Sequence, residues 1–181
     1  MEAGVLNIMT TELALDDVIA HALDYPAFTA DVVVEVPVGL PEVLADAGLL
    51  DRVIANLVEN AVRYSPPGRP VRLAASAHGG MVELRIVDNG PGIPQVEREG
   101  VFAPFQRLND HPAHNGAGVG LGLAIARAFT LAMHGTITLE DTPGGGLTAV
   151  VSLPAAPGPS ALDAIALSHR DADSDRAEAQ A

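Results

Sequence analysis

Two asparagines, Asn56 and Asn60, stand four residues apart in a chain of 181, the spacing of one helical turn. At 100° per residue, Arg52, Asn56, Glu59, Asn60 and Arg63 fall within about a 100° sector. Opposite them runs an apolar stripe of Leu50, Val53, Ile54, Leu57, Val58, Ala61 and Val62. A solvated helix face would give the same sector. Against that reading, asparagine inside a helix costs on the order of 0.5 kcal/mol relative to alanine, and two occur one turn apart. Two amide oxygens and a guanidinium on one stripe suit a hydrated Mg²⁺ and phosphate oxygens. On this segment alone both readings stand.

Two further segments carry chemistry. In Asp88-Asn89-Gly90-Pro91-Gly92-Ile93, an acid fixed at a strand end could accept a hydrogen bond from an exocyclic amine. The glycines would let a flat ligand approach the backbone, although an Asx-type turn explains the same letters. Gly116-Ala117-Gly118-Val119-Gly120-Leu121-Gly122-Leu123 runs directly into a helical pattern, offering unpaired amides and a positive dipole end to phosphate. No Lys-Ser/Thr follows and no strand immediately precedes, so it is neither a P-loop nor a dinucleotide fingerprint; a flexible hinge is the alternative. Among the six histidines, His111 and His114 lack a neighbouring cysteine or acidic cluster and read as exposed loop residues. His134 before Gly135 reads as a helix terminus.

The elements that must position these groups follow from periodicity. Leu15 to Leu23 has helical spacing, and 30–36 reads as a short buried strand. The long helix runs from Ala47 and must end before Ser65-Pro66-Pro67-Gly68, because consecutive prolines cannot continue it. Strands at 71–77 and 81–87, joined by His78, Gly79 and Gly80, predict a hairpin. Between Asp88 and Gly118 five glycines interrupt roughly thirty residues without clear structure, the mark of a functional loop or lid. A helix over 119–133 follows, then a second hairpin of 136–139 and 147–153 across Pro143, Gly144, Gly145 and Gly146. The alanine-, proline- and acid-rich stretch after Pro154 reads as largely disordered, with a transient helix near 161–168.

Composition excludes several classes. The net charge of −13, with every basic residue an arginine, argues against nucleic acid or an anionic membrane as partner. Aromatics at 3% with no tryptophan give no stacking platform for single strands. With no cysteine, disulfides and thiolate chemistry are out. No apolar run reaches the roughly 18 residues of a membrane span, and no secretory signal is visible, so the sequence predicts one soluble domain.

In this order, the motifs resemble the ATP-binding catalytic domain of sensor histidine kinases, within the superfamily that includes gyrase, Hsp90 and MutL. The resemblance covers Leu15 to Pro154. Asn56-Leu57-Val58-Glu59-Asn60-Ala61-Val62-Arg63-Tyr64 resembles the N box, Asp88 to Ile93 the G1 box, and Val101-Phe102-Ala103-Pro104-Phe105-Gln106-Arg107 the F box. Gly118 to Leu123 resembles the G2 box, and Thr142 to Pro154, with Gly144, Gly146 and Thr148, the final glycine motif and strand. Phe105-Gln106-Arg107-Leu108 and Thr142 to Thr148 further resemble the potassium-responsive Kdp-type branch.

The resemblance implies an α+β fold, a two-layer sandwich whose mixed sheet is covered on one face by helices. It implies that Asn60 coordinates Mg²⁺, that Asn56 supports metal and phosphates, and that Arg63 contacts phosphate where a lysine is more usual. Tyr64 would pack by the adenine or ribose, Asp88 would receive the adenine amine, and Gly90, Gly92 and Ile93 would give the ring room. Gly118, Gly120 and Gly122, with Leu121 and Leu123, would line the phosphate side. Arg107 would reach the phosphates as the lid closes, and Thr148 would border the cofactor. The expected cofactors are ATP and Mg²⁺.

The family's acceptor, a histidine followed by an acid, has no match; His21 is followed by Ala22 and Leu23. The expectation is therefore a fragment with no catalytic residue of its own, monomeric by itself. Residues 1–14 would be the junction from a missing helical hairpin, 15–154 the catalytic domain with a lid at 90–118, and 155–181 a tail. Its partners would be the dimerisation and phosphoacceptor helices of the same kinase and a response regulator, at the cytoplasmic side of a membrane-bound sensor. The alternatives are an anti-sigma-type serine kinase and a non-catalytic, nucleotide-responsive interaction module.

Overall fold

The longest helix forms where its apolar stripe requires a cover. The computed structural model describes residues 8–24, 32–105 and 120–158. In it, helix α2 spans Ala47–Tyr64 and buries Leu50, Val53, Ile54, Leu57, Val58 and Ala61. The Asp46 side chain caps it by accepting from the Leu49 N–H at 3.1 Å. Ser65, extended ahead of Pro66, ends it. Helix α1, Leu15–Leu23, lays Leu15, Val18, Ile19 and Ala22 into the same core. Helix α3, Gly122–Ala132, completes the helical layer, with Ala126 and Thr130 buried.

Beneath the helices lies a five-stranded sheet in the order β2-β4-β5-β7-β6. These strands are Val32–Glu35, Val71–His78, Met81–Val87, Leu147–Pro154 and Thr136–Asp141, respectively. β2 runs parallel to β4 and every other pairing is antiparallel, so the sheet is mixed. Strand alternation sends Leu73, Val82, Leu84, Ile86, Val151 and Leu153 toward the helices. The outer face carries ion pairs instead, Arg72 with Glu35, and Arg85 with both Glu83 and Glu140. The fold is the α+β two-layer arrangement that the motif order implied.

Several boundaries differ from the sequence reading. Thr11–Leu13 forms a strand, β1, inside the stretch read as a junction, and pairs antiparallel with β3 at Val43–Ala45. Beyond β7, Ala155 bridges to Val43 and the Ala156 N–H donates to the Glu42 carbonyl, so the chain stays paired past Pro154. α3 begins at Gly122, not 119: Gly120 has φ +73° and Leu121 is the cap. The glycine-punctuated stretch after Asp88 opens as packed chain, with 3₁₀ turns at Gln95–Glu97 and Gly100–Phe102 and with Val101 and Phe102 in the core. The remainder of the expected lid, residues 1–7 and the expected helix near 161–168 lie outside the described residues.

Candidate functional site

At the end of β5 the chain must turn while keeping one carboxylate in place. The Asp88 N–H donates to the Leu147 carbonyl at 2.9 Å. Asp88 Oδ1 in turn accepts the N–H of Leu147 and of Gly90, each at 2.8 Å. Oδ2 takes no hydrogen bond among the described residues. The residue is 7% exposed, and burial pushes its carboxyl above the usual carboxylate range, opposed by those two backbone N–H groups. Two glycines permit this closeness. A Cβ on Gly146, where φ is +118°, would lie 2.1 Å from the Asp88 carbonyl oxygen, and one on Gly90 would lie 2.8 Å from that of Tyr64. Asn89 is fixed between Ser65 Oγ, at 3.2 Å from its N–H, and the Pro70 carbonyl, at 3.1 Å from Nδ2.

The second part of the site lies further back along α2. Asn56 Nδ2 donates to the Arg52 carbonyl at 2.8 Å, which uses its amine inside the helix. A Cβ on Gly122 would meet Asn56 Oδ1 and Asn60 Nδ2, each at 3.4 Å, so both carboxamides face the first turn of α3. Leu121 caps that helix without a side-chain hydrogen bond, and the helical ladder begins with Ile125 N–H to the Leu121 carbonyl at 2.9 Å. The amides of Gly122, Leu123 and Ala124 therefore lack helical acceptors and carry the positive end of the dipole. With a rise of 1.5 Å per residue, Asn56, Asn60 and Tyr64 are spaced about 6 Å apart along one side of α2. Asp88 sits against the last of these through Gly90, and α3 against the first two. The acid, the carboxamides and the bare amides thus border one strip.

Among the described residues no group of three His, Cys, Asp or Glu could hold a metal. A divalent cation at this strip would take hard oxygen ligands from the carboxamides, water and a phosphate-bearing ligand, a set that suits Mg²⁺. Arg63 is half-buried and ion-paired with the exposed Glu59 one turn back on α2. Tyr64 is half exposed. A Cβ on Gly92 would touch the Gly146 carbonyl at 3.0 Å, and Ile93 and Leu123 are half buried against the core. The Gly120 carbonyl accepts the Phe105 N–H at 3.1 Å, and Thr148, buried, shares a 2.9 Å hydroxyl hydrogen bond with Thr142. Arg107 and Gly118 lie outside the described residues. Ser65 and Leu147 were missed as site supports; nothing in the letters of a serine before two prolines, or of a strand leucine, marks them.

Residues 45–157 match the family described as histidine kinase-, DNA gyrase B- and HSP90-like ATPase. The chain belongs to that ATP-binding family, and within it to the catalytic domains of sensor histidine kinases. Its relatives include KdpD and other sensor proteins: it is 46% identical over 157 residues to the sensor protein KdpD of Rathayibacter rathayi, covering 86% of this chain and 18% of that protein. It is 52% identical over 122 residues to the sensor protein KdpD of Mycobacterium tuberculosis strain H37Rv, covering 67% and 14%. The chain thus spans under a fifth of these relatives. Among solved structures it is similar to the mycobacterial sensor histidine kinase MprB, with a TM-score of 0.69, 30% identity and coverage of 82% of this chain and 99% of that one. It is also similar to full-length ShkA in complex with AMPPNP, with a TM-score of 0.69, 28% identity and coverage of 88% and 35%. MprB is a sensor histidine kinase and the KdpD relatives are sensor proteins, which sets aside the serine-kinase alternative. No described helix is long and apolar enough to cross a membrane.

Proposed function

We propose that this chain holds Mg-ATP along the α2 strip and presents its γ-phosphoryl group to a histidine on a separate helical hairpin. The observation that carries this reading is the shared border of Asp88, the Asn56–Asn60 pair and the start of α3. Asp88 Oδ2 receives the adenine amine while Oδ1 stays locked to the backbone, and Tyr64 packs by the adenine or ribose. Gly90, Gly92 and Ile93 leave room for the ring, with Thr148 bordering it. Asn60 would hold Mg²⁺ with Asn56 in support, and the ion would neutralise charge on the transferring phosphates. The amides from Gly118 to Leu123 would face those phosphates, with Arg107 arriving from the loop. Arg63 must leave Glu59 to reach phosphate, a small loss because i,i+4 surface pairs contribute about 0.3–0.5 kcal/mol.

Catalysis is then positional: a histidine nitrogen attacks the γ-phosphorus in line, the bond to the β-phosphate oxygen breaks, and ADP leaves. The whole kinase would act at the cytoplasmic face of a membrane, dimerise through its acceptor helices, answer potassium and pass the phosphoryl group to a response regulator. The test is calorimetric titration with AMPPNP, with and without Mg²⁺, followed by incubation with ATP and a supplied acceptor hairpin. Magnesium-dependent binding and an acid-labile phosphohistidine on the hairpin are expected. Binding without transfer would favour the interaction-module reading, and no binding would refute the proposal.

A further inference from the structure

Arg98 belongs to none of the motifs, yet it ties the purine-side loop to the edge of the sheet. Its Nε donates to the Ile93 carbonyl at 3.0 Å and its Nη1 to the Leu139 carbonyl at 3.3 Å, while Nη2 pairs with Asp141. Ile93 is where the loop that starts at Asp88 leaves the site; Leu139 and Asp141 belong to edge strand β6. The Arg98 side chain is 15% exposed, so its guanidinium is held within the protein surface.

The other end of the loop is already fixed. Asp88 is bonded to Leu147, Asn89 to Ser65 and Pro70, and Gly92 rests on Gly146. Among the described residues, the side-chain hydrogen bond that holds Ile93 comes from Arg98. The turn carrying Arg98 is itself anchored: Glu99 pairs at 3.0 Å with Arg127 of α3, whose guanidinium lies 4.9 Å from the centre of the Phe102 ring. Three diverging donors of fixed geometry match three acceptors, an arrangement that a lysine ammonium cannot reproduce.

We propose that Arg98 is a positioning residue for the purine: it keeps the loop from Asp88 to Ile93 in its ligand-accepting shape without touching the ligand. The inference rests on the nucleotide reading above. A loop that must be ordered on binding subtracts that ordering from affinity, so releasing its exit weakens every ligand that uses the purine end.

The experiment is calorimetric titration of the unsubstituted chain, Arg98→Met, Arg98→Lys and Asp141→Ala with adenosine and with Mg-AMPPNP, well below each melting temperature. Arg98→Met is expected to weaken both ligands by the same factor, roughly tenfold. Arg98→Lys keeps the charge and should lose nearly as much. Asp141→Ala removes only the exposed partner and should lose about two- to threefold, which keeps the test open if Arg98→Met does not fold. A merely structural role would lower the melting temperature and leave affinity unchanged in the folded chain. Unchanged affinity in the Arg98 variants against a binding wild type overturns the role of Arg98 alone. A loss confined to Mg-AMPPNP and restored by Arg98→Lys assigns Arg98 to simple charge attraction and also overturns it. No binding by the unsubstituted chain overturns the nucleotide reading, and this inference with it.

Discussion

Asp88→Asn separates binding from stability in a way the site geometry makes specific. Oδ1 of Asp88 accepts two backbone N–H groups, so an asparagine must place its carbonyl oxygen there. Its amine then takes the position of Oδ2 and meets the purine amine donor to donor. The lost bond has a charged acceptor, of the order of 1.5–3 kcal/mol, so Mg-AMPPNP affinity should fall about 10- to 150-fold. Stability should move the other way. Burial raises the carboxyl's pKa, so the folded chain binds the proton more readily than the unfolded one. Stability therefore falls as pH rises from the ordinary carboxylate value through the raised one, and at neutral pH ionised Asp88 is a net burden on the fold. Asparagine, which never ionises, lacks that burden. Calorimetry at pH 7 should show the loss of affinity, while thermal melting shows the variant as stable as the parent or more so, with the advantage shrinking toward pH 4. Unchanged affinity, or a melting temperature that drops along with it, would refute the assignment.

Three further perturbations probe separate parts of the molecule. Gly122→Ala should keep or slightly raise the melting temperature, alanine being the better helix former, while weakening Mg-AMPPNP, because the new methyl sits 3.4 Å from both asparagine carboxamides. Thr130 Oγ1 is the buried side-chain polar atom without a hydrogen bond among the described residues, so Thr130→Val should stabilise by about 1 kcal/mol in denaturant melts and leave nucleotide affinity alone. His21 Nδ1 lies 2.7 Å from Asp51 Oδ1, and that hydrogen bond, then the charge of Asp51, raises the imidazole pKa. Its contribution is full below the ordinary histidine value and fades as pH rises through the raised one, so the stability gap between wild type and His21→Gln should close above neutral pH.

Local chemistry made much of this legible in the sequence. The stripe from Leu50 to Val62 fixed α2 because an apolar face of that length has to be covered, and Pro66-Pro67 fixed where it stops. Gly79 and Gly80 marked the first hairpin in the same way. β1 and β3, three residues each, are too short for a periodic signal, and they form only because their partners arrive from 30 to 34 residues away. The glycines of the final turn look alike in the letters, yet a Cβ on Gly144 or Gly145 would meet nothing within 4 Å, whereas Gly146 presses on Asp88. That contact, like the grip of Arg98 on β6, joins segments far apart in the chain and is decided by packing. Motif order supplied the acid and the asparagines; only the fold shows what holds them in place.

Whether the acid, the carboxamides and the start of α3 serve one ligand can be read from backbone amide resonances followed during titration with Mg-AMPPNP. The amides of Gly90 and Leu147 and those of Gly122, Leu123 and Ala124 are expected to shift together, with a single saturation midpoint. Separate midpoints, or movement at one end of the α2 strip with silence at the other, would contradict a shared ligand.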